Sequence, residues 1–183
     1  MSETKNSSCC CGSDHAGTTS CCGGGTATDK KHLQINYLYL DLDSCNRCIG
    51  TDAVLDTVVN QVRPVLSLAG YDVEYEKIKI ETPELAAQYH FISSPTIQVN
   101  GRDIFEEVEE SDCGCCGEIA GTDVNCRVFR ADGKSYEVPT EEMLADAILK
   151  SLSVPPAHKT PYVLPENLRR FFEGNKENET KMS

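Results

Sequence analysis

The feature of this sequence that most constrains its fold is a Cys-x-x-Cys pair set between a strand pattern and a helical pattern. The apolar run Leu38-Tyr39-Leu40 precedes the pair, which consists of Cys45 and Cys48, and a long helical pattern begins directly at the pair. The N-terminus of a helix carries unpaired N–H groups and the positive end of the helix dipole, and both favour a thiolate over a thiol. The order strand, dithiol, helix therefore predicts a reactive thiol at a helix N-terminus.

Charge and hydropathy limit the partners of the chain. Its 183 residues carry a formal net charge of -12. An acidic chain repels phosphate backbones and anionic lipid surfaces, so we expect neither nucleic acid nor a membrane as a partner. Residues 1–31 contain no apolar segment typical of a secretory leader, and no later segment is long and apolar enough to span a bilayer. We therefore expect a cytoplasmic protein.

Cysteine is unusually frequent in this chain. Eleven cysteines are present, an odd number that cannot pair completely within one molecule. Disulfides are rare in a reducing cytoplasm, where clustered cysteines more often act in redox chemistry or bind metals. The count therefore favours reactive or metal-binding thiols over structural disulfides.

Composition divides the chain into three parts. Residues 1–31 are rich in Ser, Thr, Gly and Asp and contain almost no apolar side chain apart from cysteine, which predicts a disordered N-terminal tail. Residues 32–152 alternate strand and helix patterns and are predicted to form one domain. Residues 153–183 are rich in proline and charge, which predicts a C-terminal extension with one short amphipathic segment at 164–172.

The periodicity within the predicted domain indicates an α/β order of elements. Strands are predicted at 32–41 and 71–80, with a helix at 45–69 between them. The alternation of the second strand changes phase near Lys77, which predicts a bulge. The further predicted elements are a short helix at 82–90, a hairpin at Asn100-Gly101, a Cys-rich loop at 113–117, a second hairpin at Asp132-Gly133 and a helix after Thr140.

Two segments carry a resemblance to a known family. They are the run Leu-Asp-Leu-x-x-Cys-x-Arg-Cys-x-Gly-Thr-Asp, which begins at Leu40, and Ser-Ser-Pro-Thr-Ile at 93–97. With the element order, they resemble the thioredoxin-like superfamily, and in particular a family of small prokaryotic thioredoxin-like proteins catalogued only as a domain of unknown function. The resemblance implies an α/β fold with a mixed sheet flanked by helices, here with an added hairpin and the Cys-rich loop. It also implies that Pro95 is a cis-proline beside the dithiol.

The first functional hypothesis is a thiol–disulfide oxidoreductase that requires no cofactor. Cys45 is predicted to attack a substrate disulfide, and Cys48 to resolve the mixed disulfide. Arg47 adds a positive charge that favours the thiolate, Asp41 and Asp43 oppose this effect so that no net direction follows, and Pro95 is expected to orient the substrate. The expected partners are a protein or small-molecule disulfide, or a metalloid substrate, together with a redox partner protein. The alternative for the same pair is one half of a zinc site.

A second group of cysteines follows later in the predicted domain. Cys113, Cys115, Cys116 and Cys126 have four possible roles: a second redox pair, a relay that reduces the first pair, a thiolate metal site, or free thiols of an irregular loop. The spacing Cys-x-Cys-Cys is not a standard zinc spacing, which weakens the prediction of a closed zinc site.

The tail carries two further clusters of cysteine. Exposed adjacent thiols are soft ligands for Cu(I), Zn(II), As(III) or Hg(II), and a disulfide between adjacent cysteines strains the peptide that joins them. The alternative is a low-complexity tail that oxidises nonspecifically. A thioredoxin-like fold with vicinal cysteines also resembles the arsenical metallochaperones. These tail residues, predicted as metal ligands, are Cys9, Cys10, Cys11, Cys21 and Cys22.

The excess of thiols supports a second functional hypothesis. A redox catalyst needs only one dithiol, whereas this chain has eleven cysteines. The second hypothesis is therefore a protein that binds or delivers a soft metal or metalloid ion (As, Hg, Cu or Zn) through its thiolates. The two functions are compatible, because metalloid reduction uses thiols of both kinds.

Overall fold

The computed structural model describes residues 30–105, 107–155 and 161–182, with side chains as far as residue 178. Within these ranges it is a mixed α/β structure. The elements are β1 Lys31–Tyr39, α1 Asn46–Leu68, β2 Tyr71–Lys79, α2 Pro83–Gln88, β3 Thr96–Val99, β4 Arg102–Asp103, β5 Glu109–Asp112, α3 Gly114–Ala120, β6 Asn125–Ala131, β7 Lys134–Tyr136, α4 Glu141–Ser151 and α5 Glu166–Met182.

The first sheet is mixed and has β1 near its centre. Its strand order is β2-β1-β3-β4, with β2 parallel to β1 and β3 antiparallel to it. Strand β1 is apolar on both faces because both faces are covered, as predicted from its sequence. The predicted bulge near Lys77 is wrong: β1 and β2 pair without interruption, with Lys31 opposite Tyr71 and Tyr39 opposite Lys79.

Both predicted hairpin turns are present. Asn100 and Gly101 join β3 to β4 with φ angles of 50° and 76°, and Asp132 and Gly133 join β6 to β7 with φ angles of 51° and 73°. Two consecutive residues with positive φ suit the right-handed twist of the flanking strands, and Asn-Gly and Asp-Gly adopt this conformation at little cost. Strands β5, β6 and β7 form the second, antiparallel sheet.

The segment predicted as a Cys-rich loop is instead the short helix α3. Cys113 is its N-cap, and the helix ends at Gly121 with a φ of 66°. Its glycines are poor helix formers, so its residues carry no helical signal. Packing against α5 stabilises the helix: a Cβ on Gly174 would overlap the carbonyl oxygen of Ala120, so only glycine permits this approach.

Two hydrophobic clusters lie on opposite faces of the first sheet. Leu33, Ile35 and Tyr37 of β1 face α1 and α4, whereas Leu38 and Leu40 face the side that carries α2, α3 and α5. The amphipathic segment of the predicted extension belongs to the second side. Its buried side chains there are Leu168, Phe171 and Phe172.

The second sheet is fastened to the first beside Pro95. The N–H of Arg127 donates to the carbonyl of Ser94 at 2.7 Å, and the fully buried Arg127 guanidinium donates to both carboxylate oxygens of Asp103 at 2.9 and 2.5 Å. A paired guanidinium is the form in which a buried charge is tolerated. These contacts bring β6 close to the start of α1.

The predicted α/β fold, with its mixed sheet, flanking helices and added hairpin, is confirmed. The order of elements and the cis peptide between Ser94 and Pro95 agree with what the resemblance implies. Among the described helices, none has the length and apolar character required to cross a membrane.

Candidate metal centre

The site contains two Cys-x-x-Cys units, each at the start of a helix. Cys45 is the N-cap of α1, and Cys48 lies three residues further in its first turn. Cys113 is the N-cap of α3, and Cys116 occupies the corresponding position there. The extra Cys115 hides the second unit in the sequence, because it makes the segment read as Cys-x-Cys-Cys.

Four sulfurs converge where β6 meets the starts of α1 and α3. The Sγ of Cys45 lies 3.9 Å from that of Cys113 and 3.8 Å from that of Cys116. Cys126, from β6, places its Sγ 3.3 Å from that of Cys116. All four Sγ atoms lie within 4.8 Å of one another. Each of these cysteines is a free thiol.

These distances match the coordination sphere of one metal ion. A tetrahedral ion with metal–sulfur bonds of about 2.3 Å holds its sulfurs about 3.8 Å apart. The four sulfurs therefore need only small shifts to bind one tetrahedral ion. A cluster of several iron atoms gives its thiolates separate metal atoms and spreads them more widely, so the spacing favours a single ion. The four cysteines could thus hold a metal ion.

The sulfurs lie in an apolar environment that excludes water. Cys113 is 5% exposed, and Cys45, Cys116 and Cys126 are not exposed at all. An apolar shell limits solvent access and strengthens electrostatic interactions within the site. The neighbours that share this cluster are Leu38, Leu40, Ile80, Phe91, Ala120, Val124, Leu168, Phe171 and Phe172.

Asp41 holds the backbone that presents Cys45. Its Oδ2 accepts hydrogen bonds from the N–H groups of Asp43, Ser44 and Cys45 at 3.2, 2.7 and 2.9 Å, and from the Ser44 hydroxyl at 2.8 Å. Burial of the Asp41 carboxyl opposes ionisation, but these hydrogen bonds outweigh it and lower its pKa below the usual range. The ionised Asp41 carboxylate thus fixes the conformation of the loop before α1.

Arg47 connects the start of α1 to the second sheet. Its guanidinium donates to the carbonyls of Ser111, Asp112 and Cys126 at 3.2, 2.7 and 3.0 Å, and to the Glu137 carboxylate at 2.6 Å. Only 8% of the Arg47 side chain is exposed. The predicted positive charge beside the dithiol is therefore paired with Glu137 and hydrogen-bonded to carbonyls of β5 and β6, including that of Cys126.

Cys48 is buried beside the group of four but does not belong to it. Its Sγ lies 3.3 Å from the hydroxyl oxygen of Ser94, and its carbonyl accepts a hydrogen bond of 2.7 Å from Tyr37. The nearby Cys45 raises the pKa of the Cys48 thiol more than the burial of Cys48 does. Cys48 is therefore a neighbouring thiol that stays protonated.

Crowding separates the pKa values of the four converging thiols. Hydrogen bonds from Cys113, and then from Cys116 and Cys126, lower the pKa of Cys45, whereas hydrogen bonding to Cys116 lowers the pKa of Cys113 to about 7. Hydrogen bonds with Cys113 are the main cause of the raised pKa of Cys116 and of Cys126, and burial adds to it. Cys45, and in part Cys113, thus ionises readily, whereas Cys116 and Cys126 remain thiols until a cation compensates further negative charge.

The arrangement differs from the grouping predicted from the sequence. The structure brings Cys113, Cys116 and Cys126 together with Cys45, which the sequence assigned to the redox pair, whereas Cys115 is half-buried and lies outside this group. Pro95 is buried beside Ser94, the partner of Cys48. The predicted tail ligands Cys9, Cys10, Cys11, Cys21 and Cys22 lie outside the described residues.

Sequence reasoning missed two contributors to the site, Ser94 and Asp41. Cys113 and Cys116 were predicted as possible ligands, but the sequence did not indicate which of the clustered cysteines belong together. The contacts of Ser94 with Cys48 and of Asp41 with the loop before α1 had weaker signals, since hydroxyl and carboxyl side chains near a helix N-terminus have many possible partners.

Comparison with known proteins gives a family match over the predicted domain. The model of a family described as a domain of unknown function (DUF2703) matches residues 33–148. A protein of Archaeoglobus fulgidus described as uncharacterized is 29% identical over 116 residues, which cover 61% of this chain and 82% of that protein. No solved structure matches significantly. The family match confirms the resemblance to a family catalogued as a domain of unknown function.

Replacing Asp41 by Ala should destabilise the protein, because three N–H groups lose their acceptor. We expect a loss of about 1–3 kcal/mol at neutral pH, measured by urea unfolding. The folded-state pKa of Asp41 lies below its unfolded value, so its contribution is present above about pH 4 and disappears as the pH falls through the folded-state pKa. The exposed neighbour Asp43→Ala is the control; an equal loss in both variants would contradict this role for Asp41.

Proposed function

The chain belongs to the DUF2703 family, a domain of unknown function, and from its own side chains we propose that it binds one thiophilic metal ion of the Zn²⁺ type. The observation that carries the proposal is the convergence of the Cys45, Cys113, Cys116 and Cys126 sulfurs within 4.8 Å of one another. Four thiolates in this arrangement are a donor set typical of tetrahedral Zn²⁺ and of mononuclear iron.

The number of ligands favours a divalent tetrahedral ion over a metalloid. As(III) uses three thiolates and keeps a lone pair in the fourth direction, and Cu(I) is satisfied by two or three thiolates. A fourth buried sulfur would then remain crowded against the others without a bond. Zn²⁺ uses all four sulfurs, so we place As(III) and Cu(I) second as competing ions.

Electrostatics also support a bound cation. The pKa values of Cys116 and Cys126 are raised mainly by hydrogen bonding with Cys113. Further ionisation would add negative charge next to the thiolates already present. A divalent ion compensates the charge of further thiolates and makes four-fold ionisation favourable. The buried Arg47 guanidinium, which pairs with the Glu137 carboxylate, donates a hydrogen bond to the carbonyl of the ligand Cys126.

Burial favours retention of the ion over rapid exchange. No ligand sulfur belongs to a residue more than 5% exposed, so an incoming ligand has little access to the ion. The five tail cysteines, which lie outside the described residues, are proposed to capture ions and pass them to the buried site. The proposal requires a reducing compartment such as the cytoplasm, because oxidised cysteines cannot serve as ligands.

Protein purified without oxygen should bind one Zn²⁺ per chain at the buried site. To separate this site from the tail, we would replace the tail cysteines by serine in the full-length chain and measure bound metal by elemental analysis and native mass spectrometry. Replacing Cys116 by Ser should lower the affinity at least ~100-fold, because a hydroxyl replaces a thiolate ligand.

The matched control for this experiment is Cys115→Ser, which alters a neighbouring thiol of the same helix that lies outside the group of four. It should bind Zn²⁺ as the parent does. Absence of tightly bound metal from the parent, or equal affinities in the Cys115 and Cys116 variants, would contradict the proposed site. Iron in place of zinc would be identified by its visible absorption.

Binding should release protons, and the affinity should fall in acid. At pH 7 Cys45 is ionised and Cys113, with a pKa of about 7, is partly ionised, whereas Cys116 and Cys126 are thiols. We therefore expect about two to three protons released per ion near pH 7. Calorimetric titration in buffers of different ionisation enthalpy measures this number; a value near zero would show that the thiols are not the ligands.

A second candidate function is thiol–disulfide exchange at Cys45 and Cys48. It is favoured by the position of Cys45 at the N-cap of α1, by its lowered pKa, due first to the hydrogen bond from Cys113, and by the neighbouring thiol of Cys48. The geometry supports it less well, because neither thiol has any exposed surface from which to attack a protein disulfide.

The exchange activity is tested on metal-free protein with a small chromogenic disulfide. If Cys45 is the nucleophile, Cys45→Ser should abolish turnover and Cys48→Ser should accumulate a mixed disulfide, because the resolving thiol is missing. Adding one equivalent of Zn²⁺ should inhibit the parent, since Cys45 becomes a ligand. Unchanged turnover in Cys45→Ser would exclude this function.

A further inference from the structure

Cys45 belongs to two different groups of thiols. Its Sγ lies 3.9 Å from that of Cys113 and 3.8 Å from that of Cys116, within the proposed metal site. Cys45 is also the N-cap of α1, and Cys48 lies one helical turn further along, in the first turn of the same helix. An event that joins Cys45 to Cys48 therefore removes a ligand from the metal site.

Cys48 is positioned as a reserve thiol. Of the buried cysteines that the structure describes, it is the one outside the group of four. Ser94 lies 3.3 Å from the Cys48 sulfur, and the Ser94 hydroxyl oxygen in turn accepts the N–H of Leu40 at 3.2 Å. When the site holds an ion, Cys48 remains an uncoordinated thiol next to a ligand.

We propose that oxidation of Cys45 and Cys48 to a disulfide by a peroxide releases the bound ion, which makes the metal site a peroxide-responsive ion store. This inference rests on the proposed function, because it concerns the same ion and the same ligand Cys45. Three thiolates remain after the reaction, and the coordination position left by Cys45 is open to a competing chelator.

The chemistry balances with hydrogen peroxide as the oxidant. The Cys45 thiolate attacks one peroxide oxygen, the O–O bond breaks, and the products are a Cys45 sulfenic acid and hydroxide. The Cys48 thiol then attacks the sulfenic sulfur, which forms the S–S bond and expels water. Each sulfur loses one electron, and the two peroxide oxygens leave as hydroxide and water.

Burial selects the oxidant class. Cys45 and Cys48 have no exposed surface, so a protein disulfide cannot bring its sulfur into line with either. Hydrogen peroxide is close to water in size and can enter through small fluctuations of the packing. The main competing reaction is a disulfide between Cys116 and Cys126, whose sulfurs lie 3.3 Å apart. Both of these cysteines are ligands while the ion is bound, so neither is a free thiol, whereas the pair Cys45 and Cys48 includes the free thiol of Cys48.

The experiment uses the full-length chain with the five tail cysteines replaced by serine and loaded with one equivalent of Zn²⁺. Hydrogen peroxide is added, and the released Zn²⁺ is followed with a chromogenic chelator. The test variant is Cys48→Ser, which keeps a hydroxyl next to Ser94, and the matched control is Cys115→Ser. Alkylation before digestion and mass spectrometry identifies the disulfides formed in each protein.

The parent and the Cys115 variant should release Zn²⁺ at equal rates and contain a Cys45–Cys48 disulfide, and dithiothreitol should restore binding. Cys48→Ser should still bind one Zn²⁺ but release it about tenfold more slowly, because the sulfenic acid has no adjacent free thiol. Zn²⁺ release at the parental rate from Cys48→Ser would overturn the inference but not the proposed function. A first disulfide between Cys116 and Cys126 in the parent would do the same. A parent that binds no Zn²⁺ before peroxide is added would overturn the proposed function and the inference with it.

Discussion

The crowding of four sulfur atoms inside an apolar cluster is the constraint on which the rest of this structure depends. The sulfurs of Cys45, Cys113, Cys116 and Cys126 lie within 4.8 Å of one another and are almost completely excluded from solvent. Thiols at such distances share hydrogen bonds, so Cys45 ionises easily whereas Cys116 and Cys126 resist ionisation. A cation resolves this conflict, because it converts the repulsion among thiolates into coordination. A metal-binding role follows most directly from the site for this reason.

The elements added to the first sheet serve to assemble this cluster. Helix α3 supplies two sulfurs and is held in place by the close approach of α5 at Gly174, while β6 supplies the fourth. Two buried arginines join these additions to the rest of the domain: Arg47 donates to carbonyls of the second sheet, and Arg127 pairs with Asp103 of the first. Because both guanidinium groups are buried and hydrogen-bonded, separating the sheets would leave unpaired charges, which is costly.

The two functional hypotheses meet in one residue. Cys45 is the first cysteine of a Cys-x-x-Cys pair and also belongs to the group of four converging cysteines. An ion bound through the Cys45 sulfur and a disulfide at the same sulfur therefore exclude each other. A thiol that is not coordinated, Cys48, lies beside it against Ser94. Under the proposed function, metal binding and disulfide formation are two mutually exclusive states of one site.

The amino-acid sequence by itself determined the local features: the dithiol at the start of α1, the Asn-Gly and Asp-Gly hairpins, the threonine caps and the mixed α/β order. Each depends on backbone preferences within a few residues, which a pattern can express. The helical state of 114–120 could not be predicted, because the glycines there favour a loop and the stabilising partner is α5. Which thiols meet was decided only by tertiary structure. The docking of β6 beside Ser94 brings Cys126 close to Cys45, whereas Cys115 stays outside the group of four. Contacts between residues so distant in the chain leave no periodic signal in the sequence.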